Sequence, residues 1–189
     1  MSENILKIRK STLIGKVKVS GAKNSSLRLL AASILTNESV ELNNFPNGLL
    51  DVQVHLEMLE FLGKICTVDN DNITIKENSN KTTSVLAWNG RSIRNTLLIL
   101  GALTARFGEV KVPLPGGCKL GERKYDLHVM LLESLGAKVW EEDGYLCAKS
   151  NGRLIGVDIN LPMRSTGATE NSIICGSLAK GITTIWNPH

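Results

Sequence analysis

The sequence predicts an α/β chain built from one repeated unit (strand, helix, strand, helix, hairpin) whose third copy is incomplete. Three observations carry that prediction. H-L-E-M-L-E-F-L-G-K at 55–64 recurs as H-V-M-L-L-E-S-L-G-A at 128–137. Apolar residues at helical spacing alternate with short period-two runs bounded by Asn, Asp and Gly, the pattern of helices and half-buried strands joined by tight turns. Gly108 and Gly181 hold the same place after two aliphatic helical runs, which sets a period of about 73 residues.

Taken in order, residues 5–8 and 15–19 read as two short strands about a turn at Lys10-Ser11, the second alternating Val17 and Val19 with lysines. Leu27, Leu30, Ala31 and Ile34 give a helix over 25–35. A strand at 39–42, a loop at Pro46 and a helix over 52–62 follow. A hairpin then joins 65–68 to 73–75 through Asp69-Asn70-Asp71-Asn72. The second copy has a Leu-rich helix over 94–106, a strand at 109–112, a Pro/Gly loop and a helix over 127–135 with Asp126 as its N-cap. It closes on a hairpin, 138–140 with 145–148, across Asp143-Gly144. The third copy opens at Gly167 with a helix to about residue 180 and a strand at 182–186. It lacks the second helix and hairpin. Repeats of this kind bury their apolar faces against one another, so Ile173, Ile174 and Leu178 are expected to be uncovered.

Of 189 residues, 42% are hydrophobic and only 4% aromatic, so aliphatic side chains must fill the core. The net charge of +4 is dispersed among interleaved acids and bases. That suits a small anionic substrate, whereas nucleic-acid binding calls for a concentrated basic face with stacking aromatics. No apolar signal core and no membrane-length apolar run is present, so neither nucleic acid nor membrane is expected as a partner. Cys66, Cys118, Cys147 and Cys175 have neither C-x-x-C spacing nor clustered histidines. Reduced thiols in a cytoplasmic protein, with no metal and no disulfide framework, is the simplest reading.

The chemically richest stretch is P-L-P-G-G-C-K-L-G-E-R-K-Y-D-L-H at 113–128. It places Cys118 among Gly116, Gly117 and Gly121 with Lys119, Arg123 and Lys124 close by. Glycines let backbone N–H groups approach a ligand, and cations favour the thiolate and attract anions. A structural turn holding a small, half-buried thiol is the other reading these residues allow.

S-G-A-K-N at 20–24, A-R-F-G at 105–108, L-P-G-G-C-x-x-G-x-R at 114–123, D-L-H at 126–128 and G-A-T-E-N at 167–171 together resemble the UDP-N-acetylglucosamine 1-carboxyvinyltransferases, bacterial enolpyruvyl transferases of peptidoglycan synthesis. The resemblance runs over nearly the whole chain but reaches only the first half of such an enzyme. It implies an inside-out α/β barrel of the enolpyruvyl transferase type. Residues 1–20 would be strands that pair with a second domain, and 21–189 the first domain, with repeats at about 21–85, 86–150 and 151–189. The implied reaction moves the enolpyruvyl group of phosphoenolpyruvate to the 3-hydroxyl of UDP-N-acetylglucosamine and releases phosphate. No cofactor is implied, and a separately encoded second domain is an expected partner.

Residue by residue, the resemblance makes Cys118 the acid that protonates the methylene carbon of phosphoenolpyruvate. Lys23, Asn24 and Arg123 would contact phosphoenolpyruvate. Arg94, Arg123, Lys124, Tyr125, Asp126, Leu127, Met163, Arg164, Ser165 and Thr166 would contact the nucleotide sugar. Arg91 competes with Arg94 on sequence alone, and register with Gly101 and Gly108 favours Arg94. His55 and His128, equivalent in two repeats, are expected to be structural. Lys124 stands where the family usually has proline and Met163 where lysine is common, and the Lys10-Ser11 turn lacks the usual glycine. A truncated or split non-catalytic homologue that binds the nucleotide sugar, and a secondary-metabolism paralogue, therefore remain alternatives.

Overall fold

The computed structural model describes residues 5–115 and 125–189. The first repeat contains α1 (Lys23–Ala32), continued by a 3₁₀ turn at Ser33–Leu35, then β1 (Val40–Leu42), α2 (Leu50–Phe61) and the hairpin β2 (Lys64–Asp69) and β3 (Asn72–Glu77). The second contains α3 (Thr96–Phe107), β4 (Glu109–Pro113), α4 (Asp126–Ser134), β5 (Ala137–Glu142) and β6 (Tyr145–Ser150). The third has β7 (Asp158–Asn160), α5 (Thr166–Gly176) and β8 (Thr184–Trp186).

Each complete repeat makes the same three-stranded antiparallel sheet. The returning hairpin strand lies in the middle, giving the orders β1-β3-β2 and β4-β6-β5. In both hairpins the residue after the first strand, Asn70 or Asp143, takes positive φ, a conformation that Asn and Asp tolerate better than other side chains. The parallel pair β7-β8 opens the third repeat. Its counterpart in the second is a single parallel bridge, Val85 to Lys111. These first strands carry too few alternating residues to stand out in the sequence. The described strands form three separate sheets and no closed barrel.

The core is aliphatic and helix-centred. In α3 every residue from Thr96 to Ala105 is buried, and α3 packs on α1, α5 and its own sheet. Gly101 makes the α3–α5 approach possible, because a Cβ there would lie 1.9 Å from Asn171 Oδ1. Glu77 ties the first sheet to this core. Its carboxylate accepts from Arg106 Nη2 at 2.8 Å and from Lys64 Nζ at 3.0 Å. Both cations also donate to the Thr36 carbonyl.

Several sequence expectations need correction. Residues 5–20 form no strands and no regular turn at Lys10-Ser11. Leu13 and Ile14 are 91% and 95% exposed; with no apolar surface among the described residues to cover, period-two alternation has nothing to order it. Asp126 is the first residue of α4 and Tyr125 takes the N-cap position, without a side-chain cap. The acid still sits in the first turn, where the helix dipole favours it. The third helix ends at Gly176, short of the expected 180, and Ile174 is buried while Ile173 is exposed. Leu178 packs partly against the core.

Candidate active site

The three first helices are neighbours: α1 packs on α3 and α3 on α5, and an Arg28–Glu170 ion contact of 2.6 Å joins α1 to α5. Their starts ring one cleft of about 450 Å³. Lys23 is the first residue of α1, Asn95 takes the N-cap position of α3 without a side-chain cap, and Thr166 is the first residue of α5. Free backbone N–H groups and dipole ends give helix starts a preference for anions. Gly21 lets the chain enter α1 at this spot: a Cβ there would meet the Asn44 carbonyl oxygen at 2.0 Å.

Lys23, Asn24, Arg94 and Thr166 all line the cleft. Lys23 Nζ donates to Asp51 Oδ2 at 3.0 Å. The two side chains are 47% and 32% exposed, so water screens the pair and an arriving anion can compete with Asp51. Arg94 is half-buried, and its charge helps to hold the His128 imidazole neutral. Arg91, its sequence competitor, is exposed and does not line the cleft.

The two histidines are structural. His55 Nδ1 meets Asn95 Nδ2 at 2.8 Å, and His128 Nδ1 meets Asn171 Nδ2 at 3.0 Å. The amide N–H donates, so each imidazole keeps its proton on Nε2. Burial pushes the pKa of His55 down to about 3. For His128 burial first, and Arg94 second, bring it down to about 4 against the opposing pull of Asp126. Neutral, hydrogen-bonded imidazoles of this kind hold helices together; they are poor proton carriers at neutral pH.

Other expected site residues are placed elsewhere. Ser165 caps α5, its Oγ accepting from Ala168 N at 3.3 Å. Tyr125 donates its hydroxyl to Glu141. Leu127 packs partly against the core. Met163, Arg164 and Asp126 are exposed and do not line the cleft. Cys118, Arg123 and Lys124 lie outside the described residues. Before them in the sequence comes β4 and after them α4, whose His128 lines the cleft. Burial pushes the Cys66 and Cys175 thiols up to about 12 and raises Cys147 as well, so these three are weak nucleophiles. Among the described residues no group of His, Cys, Asp or Glu could hold a metal ion, and no helix is long and apolar enough to cross a membrane.

Sequence reasoning missed Asp51, Glu170 and the two bridging asparagines. The signal was present: Lys23-Asn24, Arg94-Asn95 and Glu170-Asn171 each put a charged residue before an asparagine in or beside the first helix of a repeat, and all six residues but Asn171 line the cleft.

A sequence model described as EPSP synthase (3-phosphoshikimate 1-carboxyvinyltransferase) matches residues 8–189. A UDP-N-acetylglucosamine 1-carboxyvinyltransferase of Acinetobacter baylyi is 42% identical over 93% of this chain and 42% of its own length. One of Shewanella amazonensis is 43% identical with the same coverage. The chain thus spans about two-fifths of the length of the curated relatives it matches. Among solved structures, the enolpyruvyl transferase NikO of Streptomyces tendae superposes with a TM-score of 0.75 at 22% identity, covering 92% of this chain and 40% of that one. EPSP synthase of Acinetobacter baumannii gives 0.71 at 23%, covering 93% and 41%. At these identities the superpositions establish the fold.

Proposed function

Because the chain belongs to the EPSP synthase (enolpyruvyl transferase) family, we propose that it forms the first domain of an enzyme transferring the enolpyruvyl group of phosphoenolpyruvate to the 3-hydroxyl of UDP-N-acetylglucosamine. The acceptor oxygen adds to C2 of phosphoenolpyruvate while the methylene carbon gains a proton. Loss of phosphate, with return of a proton from that carbon, leaves the enol ether. This is the committing step of peptidoglycan synthesis, and its setting is the cytoplasm.

The observation that carries the reading is the convergence of Lys23, Asn24 and Arg94 with three helix starts on one cleft. Phosphoenolpyruvate brings a carboxylate and a phosphate, and the nucleotide sugar a diphosphate. Cations and helix N-termini are the groups that bind them. Lys23 and Asn24 hold phosphoenolpyruvate with Arg123, while Arg94 and Thr166 face the nucleotide sugar. Cys118 is the general acid that protonates the methylene carbon. Met163, Arg164, Ser165, Lys124, Tyr125, Asp126 and Leu127 complete the nucleotide contacts. Residues 5–20 bear uncovered apolar side chains, which suits a segment that pairs with that second domain.

The nucleotide sugar is favoured over shikimate 3-phosphate as acceptor because the curated relatives named for it are 39–43% identical. The EPSP synthase superposition reaches only 23%. The test is phosphate release by this chain joined to the remaining C-terminal length of the Acinetobacter baylyi relative. UDP-N-acetylglucosamine should support turnover and shikimate 3-phosphate should not. Lys23→Ala should lower turnover by a factor of about 10² or more. Turnover with shikimate 3-phosphate alone, or a fully active Lys23→Ala variant, would overturn the assignment.

A further inference from the structure

One helical turn further along than Asn24 and Thr166, a charged pair spans α1 and α5. Arg28 Nε lies 2.6 Å from Glu170 Oε1, and Arg28 Nη1 donates to the Asn24 carbonyl at 2.7 Å. Arg28 follows Asn24, and Glu170 follows Thr166, by four residues, about one turn of helix. Both side chains line the cleft beside Lys23, Asn24 and Thr166. A continuous set of contacts thus runs from Glu170 on α5 through Arg28 to the backbone of the first turn of α1, where Lys23 and Asn24 stand.

α1 packs on α2 and α3, and α5 on α3 and α4. Between α1 and α5 themselves, beyond the ion pair, runs a groove of about 590 Å³ walled by Leu29 and Ala32 on one side and Ile173 and Ile174 on the other. The Arg28–Glu170 pair is a polar bridge across that gap. As a stabiliser of the fold it is poor. Its side chains are 26% and 24% exposed, so water screens the charges. Arg28 Nε and Glu170 Oε2 are also buried with no hydrogen-bond partner among the described residues, which costs the folded state. What the bridge supplies is geometry, because it ties together two helices whose starts form facing parts of the cleft.

We propose that Glu170 and Arg28 are positioning residues: together they set the distance between the start of α1 and the start of α5. The inference rests on the proposed function, in which Lys23 and Asn24 seat phosphoenolpyruvate and Thr166 faces the nucleotide sugar. The pair then fixes how far C2 of phosphoenolpyruvate stands from the acceptor oxygen. Neither side chain touches a substrate in this role. A displacement of about 1 Å between reacting groups can cost about 10²-fold in rate, while each substrate keeps its own contacts. Loss of the pair should therefore lower kcat and leave KM for both substrates nearly unchanged.

The spacing is tested in the 189-residue chain, and the chemistry in that chain joined to the remaining length of the Acinetobacter baylyi relative. For the spacing, Asn24→Cys and Thr166→Cys are introduced together, which keeps the carbonyl that Arg28 binds. Bis-methanethiosulfonate linkers of graded length are then applied, and closure is read by peptide mass mapping. One length should close preferentially, and adding Glu170→Gln should remove that preference. In the joined protein, Glu170→Gln and Arg28→Met should each lower kcat about tenfold or more, with both KM values within about threefold. The double variant should fall no further than either single one, since the two residues act as a unit. Urea midpoints should fall no more than in Glu109→Ala, which removes an exposed pair. A raised KM at unchanged kcat would make Arg28 or Glu170 a substrate contact and overturn the positioning role. So would a length preference that survives Glu170→Gln, or kinetic losses that follow a fall in the urea midpoint. Inactivity of the unsubstituted joined protein with UDP-N-acetylglucosamine counts against the proposed function instead, and the linkers still decide whether the pair sets the spacing.

Discussion

At the scale of single residues, the amides of Asn95 and Asn171, which bridge helices of neighbouring repeats, decide where size can change. A Cβ on Gly101 would lie 1.9 Å from Asn171 Oδ1 and 2.9 Å from Cys175 Sγ. In an open helix, Gly→Ala gains about 0.4–1 kcal/mol; here overpacking should dominate. Gly101→Ala is expected to destabilise the protein by about 1–3 kcal/mol in urea unfolding, and a raised midpoint would contradict the close contact. The histidines make the second prediction. Their folded pKa values, about 3 for His55 and about 4 for His128, lie below the unfolded value near 6.5. The unfolded chain therefore binds the extra protons. Their stabilisation is fully present above about pH 6.5 and is lost as pH falls towards 4 and then 3, at up to about 1.4 kcal/mol per unit for each group. His55→Gln, which keeps an acceptor for Asn95, should flatten the dependence of stability on pH between 6.5 and 4. An unchanged slope would mean that His55 is not held neutral.

At the scale of elements, the first sheet is anchored to the helical core through Glu77. Lys64 is 5% exposed and Arg106 17%, with Glu77 at 11%, so water does little to relieve an unpaired charge there. The Arg106 hydrogen bonds first, and Lys64 after them, hold the Glu77 carboxyl below the usual carboxylate range. Burial lowers the Lys64 pKa despite its partner. Removing the acid leaves two buried cations facing each other. Glu77→Ala should therefore cost about 3–5 kcal/mol. The exposed pair Lys149–Glu109, 2.7 Å apart and more than half exposed on both sides, is the control: Glu109→Ala should change stability by less than about 1 kcal/mol. Similar losses at both sites in parallel urea titrations would refute the distinction.

At the scale of the whole molecule, the proposed function makes this chain one wall of an active site. On that proposal the general base and a further phosphate-binding arginine belong to a second domain. The 189-residue chain by itself should release no phosphate from phosphoenolpyruvate and UDP-N-acetylglucosamine, since acid–base groups contribute factors of about 10²–10⁴. Fosfomycin, an epoxide resembling phosphoenolpyruvate, alkylates the matching cysteine in this family. It should label the lone chain slowly, at Cys118 no faster than at Cys66, Cys147 or Cys175. With the second domain supplied, labelling should become rapid and confined to Cys118, because closure orients the epoxide against the thiolate. Mass mapping that stays unselective in the joined protein would remove Cys118 from its role.

Much of this was determined by the sequence alone. The repeat, the paired hairpins at Asn70 and Asp143, the order of helices and the family all follow from local periodicity, turn chemistry and motif spacing, which act over a few neighbouring residues. The sequence also brought forward Lys23, Asn24 and Arg94, and it marked His55 and His128 as structural. Only the tertiary structure decided what depends on distant partners. Val17 and Val19 alternate as a strand should, yet nothing among the described residues covers them and they are exposed. Ile173 and Ile174 are alike in sequence, but helix rotation against α3 exposes one and buries the other. Asp51 and Glu170 look like ordinary surface acids until folding sets them against Lys23 and Arg28. Periodicity shows which residues turn the same way; which partner they meet depends on how elements far apart in the chain pack together.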